Sequence, residues 1–214
     1  MRTAKSTLPG HRIFATAWDW KSRHEGRTET TLRREVASGL MGSVLELGYG
    51  VGSNWPFLPG GVSYTGIERD QFMRARAKRH RPPGSTPALV GGDAERLPFA
   101  DGIFDSVIAT LVFCTIADPA KAMSEALRVL RPGGQFRFFE HVRAENRFGR
   151  GAQDVLTPVW RRLGAGCRPN RDTVATVVDA GFEVVSLRRL HHGPLPIVVG
   201  MARRPGELQE REST

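Results

Sequence analysis

Three glycines and three acids carry the most legible chemistry in this sequence. Gly48, Gly50 and Gly52 lie in the run LELGYGVGSN, directly after Glu46 and just before Asn54. A glycine-rich turn between a strand and a helix lets a ligand approach the backbone, with N–H groups and the helix dipole facing it. Taken alone, the same residues also describe a tight turn that binds nothing. The spacing is Gly-x-Gly-x-Gly, with Ser53 where a dinucleotide fingerprint has its third glycine, so a nicotinamide or flavin site fits poorly. Glu68 stands about 20 residues beyond the turn, where an acid accepts both hydroxyls of a ribose. Asp93, at the end of the next apolar run, suits the exocyclic amine of an adenine, and Glu46 suits an ammonium group. A ligand made of adenine, ribose and an amino acid satisfies all three acids and brings no phosphate for them to repel.

Such residues meet only if strands bring them to one edge. From Ser43 onward, short apolar runs that end at Gly or an acid alternate with helical segments. That is the pattern of an α/β fold, a parallel sheet with helices on both faces. The expected strands are residues 44–47, 62–68, 87–90, 104–110, 135–141, 182–190 and 197–201. Helices are expected from the N-cap Asp70 to about His80, from Asp118-Pro119 through Leu130, and over 174–180, closed by Gly181. Pro82-Pro83-Gly84 stops the first, and Arg131-Pro132-Gly133-Gly134 reads as a tight link into the fifth strand. Residues 1–40 read as an N-terminal helical lid over a domain of residues 41–202, with 203–214 a frayed polar tail. Ligands of open α/β sheets lie across the carboxyl ends of the strands, which gathers Glu46, Gly48, Glu68, Asp93 and Thr110 to Cys114.

The chain has 214 residues, 40% of them hydrophobic, with 31 Lys+Arg against 22 Asp+Glu and a formal net charge of +9. The length suits one core and the apolar content excludes global disorder. No apolar run approaches the ~18 residues of a membrane span, and the N-terminus lacks a secretory apolar stretch, so a cytoplasmic location is expected. Cys114 and Cys167 are too few for a disulfide framework, no Cys-x-x-Cys or His-x-x-x-His pair offers ligand spacing, and no metal is expected. The densest basic run, Arg74 to Arg81, follows helical spacing without interleaved aromatics, so it reads as a solvated face rather than a nucleic-acid site.

Read together, VLELGYGVGSN, YTGIERD, GDAERLPFADGIFDSVIATLVFCTI and EALRVLRPGGQFRFFEHV resemble the class I S-adenosylmethionine-dependent methyltransferases. The resemblance implies a single-domain, Rossmann-like fold with a mostly parallel seven-stranded sheet and an antiparallel last strand. It implies S-adenosylmethionine as cofactor and S-adenosylhomocysteine as product. By the same resemblance Glu46, Gly48, Gly50 and Gly52 flank the methionine moiety, and Asn54 joins the cofactor set. Glu68 holds the ribose, Asp93 and Ala94 the adenine, and Thr110 and Leu111 form the wall behind.

A narrower resemblance, to the small methyltransferase-like group with the alkyl thiol methyltransferases and bacterial relatives, rests on Glu140-His141-Val142, Trp160, Gly166-Cys167 and Asn170 to Thr173. Membrane-anchored members carry an apolar N-terminal segment that this sequence lacks, so no membrane role is expected. Tyr49 and Val51 are bulkier or more apolar than residues often seen in the turn. The implied acceptor is a small molecule, first a thiol, next a small aromatic or quinone-like metabolite methylated at N, O or C. A nucleic-acid methyltransferase is disfavoured because Leu111 to Cys114 replaces the expected Asn/Asp-Pro-Pro-aromatic; a silent cofactor-binding module is disfavoured because the glycines and Glu68 are intact.

His141 is the candidate catalytic base or acceptor-orienting group, because strand five of this fold ends beside the transferable methyl; its plainer role is a cap on the strand end. Glu140 either orients His141 or bonds to backbone. Cys114 reads as a small core residue, and Cys167 as a structural thiol with nothing clearly lowering its pKa. Phe14, Trp18, Cys114, Glu140 and Trp160 are the acceptor-pocket candidates. His191-His192 reads as a solvated strand end.

Overall fold

A computed structural model describes residues 11–81, 87–164, 166–192 and 195–206. Seven strands form one sheet: β1 (Ser43–Leu47), β2 (Ser63–Glu68), β3 (Ala88–Gly91), β4 (Phe104–Thr110), β5 (Leu130–His141), β6 (Glu183–His192) and β7 (Leu195–Arg203). Their spatial order is β3-β2-β1-β4-β5-β7-β6. The first five pair in parallel, and β7 runs antiparallel to both β5 and β6. The order reverses at β1, between β2 and β4, which is where an open sheet of this kind offers its ligand crevice.

The central strands are buried on both faces, which explains their near-continuous apolar runs. Leu45 and Leu47 of β1 pack with Val107, Phe136 and Phe138 against Ala122, Met123 and Ala126 of α4 (Pro119–Val129) and Val177 of α6 (Thr173–Asp179). The alternate residues Val44, Ile108 and Phe139 pack against Leu32, Val36 and Ala37 of α2 (Arg27–Ser38) and Ala77 of α3 (Gln71–His80). Glu46 shares the second face with Val44, and period-two alternation therefore buries an acid beneath α2. Asp70 caps α3 by accepting from the N–H groups of Phe72 and Met73, and Asp118 caps α4 through Lys121 N.

Three expectations are corrected. Arg131 to Gly134 is a four-residue bulge inside β5: Phe104 pairs with Leu130 and Ser106 already with Gln135. The bulge is covered by Arg204, whose N–H donates to Gly134 O while its O accepts from Gly133 N. The polar tail therefore begins later than residue 203, since Arg203 ends β7 and the Arg204 guanidinium holds the carbonyls of Leu127, Arg128 and Leu130. Finally, the stretch after β5, where no element is expected from the sequence, forms a 17-residue helix, α5 (Arg147–Leu163). Gly149, Gly151 and Pro158 lower its helix propensity, while Phe148, Val155, Leu156, Val159 and Leu163 recur at helical spacing, and in the structure that apolar stripe points to solvent rather than to the core. The expected stop at Pro82 to Gly84 and the side chains of His191 and His192 lie outside the described residues.

Candidate active site

A cavity of about 450 Å3 opens at the carboxyl ends of β1, β2, β4 and β5. Glu46, Gly48, Gly50, Glu68, Asp93, Ala94, Thr110 and Leu111 all line it. Gly48 has φ +62°, and a Cβ there would lie 2.3 Å from Val112 Cγ2, so the turn after β1 admits no side chain at this point. The bulky Tyr49 is accommodated across the sheet by Gly66, where a Cβ would come within 2.6 Å of the tyrosine ring.

Glu68 ties the turn to the end of β2. Its Oε2 accepts from Gly50 N at 2.9 Å and its Oε1 from Asp70 N at 2.7 Å. Burial raises its pKa, opposed by those two N–H groups. Glu46 is more deeply placed: Oε1 accepts from Asn54 Nδ2 at 2.8 Å and Oε2 from the Tyr64 hydroxyl, which in turn accepts from Trp55 Nε1. Burial again raises the pKa of this acid, against the hydrogen bonds of Tyr64 and Asn54 and the charge of Arg33. Asp93 is partly exposed; it accepts from Glu95 N and stands 3.5 Å from Arg69 Nη1.

Arg33, on α2, was not legible as a site residue. Its side chain is only 3% exposed. It is paired bidentately with Glu25 at 2.7 and 2.8 Å, and Nη1 donates to both Asn54 Oδ1 and Thr110 Oγ1 at 3.0 Å. Asn54 also donates to Thr110 Oγ1. Asn54 thus works from behind the cavity wall, joining α2, the β1 turn and β4, while Arg33 reaches the cavity itself. In a charged, polar helix such as RTETTLRREVAS nothing distinguishes this arginine from its solvated neighbours.

Beyond β4 the chain turns through Leu111, the one described non-glycine residue with positive φ, at 55°. Glu140, fully buried at the end of β5, accepts from Val112 N at 2.8 Å and Phe113 N at 3.1 Å through one oxygen. Burial pushes its pKa up to about 8. Its role is therefore to fix this loop, and it stands behind the cavity wall. The loop is further held by Arg168 N donating to Cys114 O and by the Arg171 guanidinium donating to Phe113 O. Gln153 of α5 closes the arrangement, donating to Val142 O and Pro169 O and accepting from Ala144 N.

These ties bring Cys114, His141 and Cys167 together on the cavity wall, with both sulfurs and one imidazole nitrogen all within 4.8 Å of one another. The two cysteines are free thiols. Cys167 ionises first of the pair, because hydrogen bonds from Cys114, His141 and Trp160 favour its thiolate. The same contact with Cys167, together with burial, raises Cys114. This corrects the sequence reading of Cys167, whose perturbing neighbours come from other segments. The other wall is α1 (Arg12–Arg23), which presents Phe14 and Trp18 to the cavity, their rings stacked at 5.7 Å. It is anchored to α3 by Asp19, which meets His80 Nε2 at 2.7 Å and Arg76 at 3.9 Å. Trp160 of α5 also lines the cavity.

A family model described as a methyltransferase domain matches residues 45–138. Thiol S-methyltransferase TMT1B of Rattus norvegicus is 33% identical over 191 residues, covering 86% of this chain and 78% of its own. The human protein of that name is 34% identical over 160 residues, 72% of this chain, and the match spans 64% of its length. The chain belongs to the class I S-adenosylmethionine-dependent methyltransferases. Demethylmenaquinone methyltransferase of Beutenbergia cavernae is 37% identical over 169 residues, 70% of this chain and 69% of its own. Among solved structures, a SAM-dependent methyltransferase from Aquifex aeolicus shares the fold at a TM-score of 0.64 and 18% identity, covering 91% of this chain and 99% of that one. Among the described residues no helix is long and apolar enough to cross a membrane.

Proposed function

We propose that this chain transfers the methyl group of S-adenosylmethionine to the sulfur of a small thiol, with S-adenosylhomocysteine as the other product. The observation that supports it is the continuity of one cavity, which joins the acids and glycines of the β1–β3 ends to the two thiols and imidazole at the β4–β5 end. The first group suits the cofactor. Acids at three strand ends match an ammonium, a ribose and an adenine amine, and the Gly48 and Gly50 backbone leaves room for close approach.

In this reading Glu46 with the backbone of Gly48 and Gly50 holds the amino-acid end, Glu68 the ribose hydroxyls, and Asp93 with Ala94 the adenine. Thr110 and Leu111 form the wall, and Asn54 and Gly52 act from behind. When bound, the cofactor supplies an electrophilic methyl on a sulfonium. The chain's part is to hold the acceptor in line and to exclude water. Phe14 and Trp18 of the N-terminal segment cover the cavity, and His141 orients the acceptor or takes its proton. A thiol needs little help from a base, since its reference pKa near 8.5 leaves a few per cent thiolate at neutral pH. Two free, buried cysteines suit a reducing compartment such as the cytoplasm.

The aromatic walls, Phe14, Trp18 and Trp160, support a second reading, methylation of a flat aromatic or quinone-like acceptor. The test is release of S-adenosylhomocysteine from purified protein given the cofactor and a panel of small thiols, phenols, quinols, amines and indoles, with RNA as control. Turnover with thiols and none with RNA is the expected result. Turnover confined to phenols or quinols transfers the assignment to the second reading, and failure to bind the cofactor overturns both.

A further inference from the structure

We propose that Cys114, His141 and Cys167 form a mononuclear zinc site whose fourth position opens into the acceptor end of the cavity. The inference rests on the thiol reading for its purpose but not for its ligands.

The three groups are the donor types that zinc prefers, two sulfurs and an imidazole nitrogen. At Zn–S distances of about 2.3 Å and Zn–N of about 2.0 Å, tetrahedral angles separate the ligands by about 3.8 Å between sulfurs and about 3.5 Å between sulfur and nitrogen. The ligand atoms here all lie within 4.8 Å of one another, so small side-chain adjustments bring them to those separations. His141 contributes one imidazole nitrogen to this group, and its Nδ1 is buried with no hydrogen-bond partner. The supporting backbone is locked: Glu140 holds Val112 N and Phe113 N, Arg168 N holds Cys114 O, and Gln153 fastens the ends of β5 and of the loop carrying Cys167. Ligands on rigid, cross-braced segments are what a metal site requires.

Three protein ligands and an open position distinguish catalytic from structural zinc. All three side chains line the cavity, so the fourth position is available to an acceptor. An acceptor thiol binding there replaces a zinc-bound water and releases its proton to solvent, because a thiol coordinated to zinc is deprotonated outright. The metal-bound sulfur then forms its bond to the methyl carbon as the bond from that carbon to the donor sulfonium breaks, the bonding pair staying with the donor. The product is a neutral thioether, a weaker ligand than a thiolate, which leaves and restores the water. With zinc bound, His141 orients the acceptor as a metal ligand rather than by taking its proton, since coordination removes the need for a base.

The test is made on the full chain, stripped with chelator under reducing conditions and titrated with zinc against a competing chromophoric chelator. Cobalt(II) serves as a second probe, through its thiolate charge-transfer bands and tetrahedral d–d absorption. We expect one zinc per chain, and a loss of affinity of at least about tenfold in each of Cys167→Ser, His141→Ala and Cys114→Ser. Binding of S-adenosylhomocysteine reports that each variant is folded. Absence of zinc binding by the reduced wild type, binding by all three variants as tight as the wild type's, or a Cys114–Cys167 disulfide that forms in place of the metal complex overturns the site. If zinc and cobalt bind as expected while no thiol is methylated, the metal site stands and the thiol reading fails. Full-rate thiol methylation by metal-free protein removes the zinc from the reaction.

Discussion

At the ends of β1 and β2 both oxygens of Glu46 and both of Glu68 have donors, from Asn54, Tyr64, Gly50 N and Asp70 N. At the ends of β4 and β5 the reverse holds: His141 Nδ1 and one oxygen of Glu140 are buried with no partner, and two thiols lie side by side. One half is a completed hydrogen-bond network and the other keeps unused valence. A ligand whose shape never changes rewards a network set in advance, since preorganised groups need no reordering on binding. On the proposed function the β4–β5 end receives the acceptor and must instead present reactive groups, and those are the ones left open. α5 extends the contrast, covering this end with a helix whose Phe148, Val155 and Leu163 face solvent.

The comparison breaks or sharpens under four tests. The largest effect is expected for His141→Ala, which should lower turnover by about 10²–10⁴-fold while cofactor affinity changes by less than about twofold. Parallel losses of both in kinetics and calorimetry would merge the two halves. Next, Arg33→Leu breaks a buried ion pair, leaves Glu25 uncompensated, and should cost about 3–5 kcal/mol in denaturant unfolding. A loss under about 1 kcal/mol, well below what removing one partner of a buried pair usually costs, would mean that the network is not closed in solution. Glu68→Ala removes charge-assisted hydrogen bonds worth about 1.5–3 kcal/mol each, so S-adenosylhomocysteine should bind roughly 10–100-fold more weakly with the far-ultraviolet spectrum unchanged. Unaltered affinity would sink the ribose assignment.

The smallest effect concerns pH. Burial raises the pKa of Glu46 in the folded chain above its unfolded value. Between the two values the folded state binds more protons than the unfolded state, so this group's contribution to stability falls as pH rises through that window. Glu46→Gln should flatten the decline in melting temperature above the ordinary carboxylate range. A steeper decline in the variant would reverse the assigned sign.

Much of the β1–β3 end of the cavity is legible in the amino-acid sequence. Strand alternation, the Gly48 turn and the acids closing β1 and β2 are local patterns, and a parallel sheet has little choice but to gather its strand ends. The bulge at Arg131 to Gly134 escaped because a Pro-Gly-Gly run signals a turn equally well inside a strand as between elements. Arg33 escaped because burial of a charge is decided by what packs over it, here Glu25, Asn54 and Thr110.

By itself the sequence determined the fold class, the glycine turn and the acids at the strand ends, because each is written in residues close together in the chain. Only the tertiary structure decided that Cys114, His141 and Cys167 are neighbours. They come from the β4 loop, the end of β5 and the loop after α5, and no spacing within any one segment announces them. Side-by-side strands and the braces of Glu140, Arg168 and Gln153 bring them together, and such contacts exist only once the chain has folded back on itself.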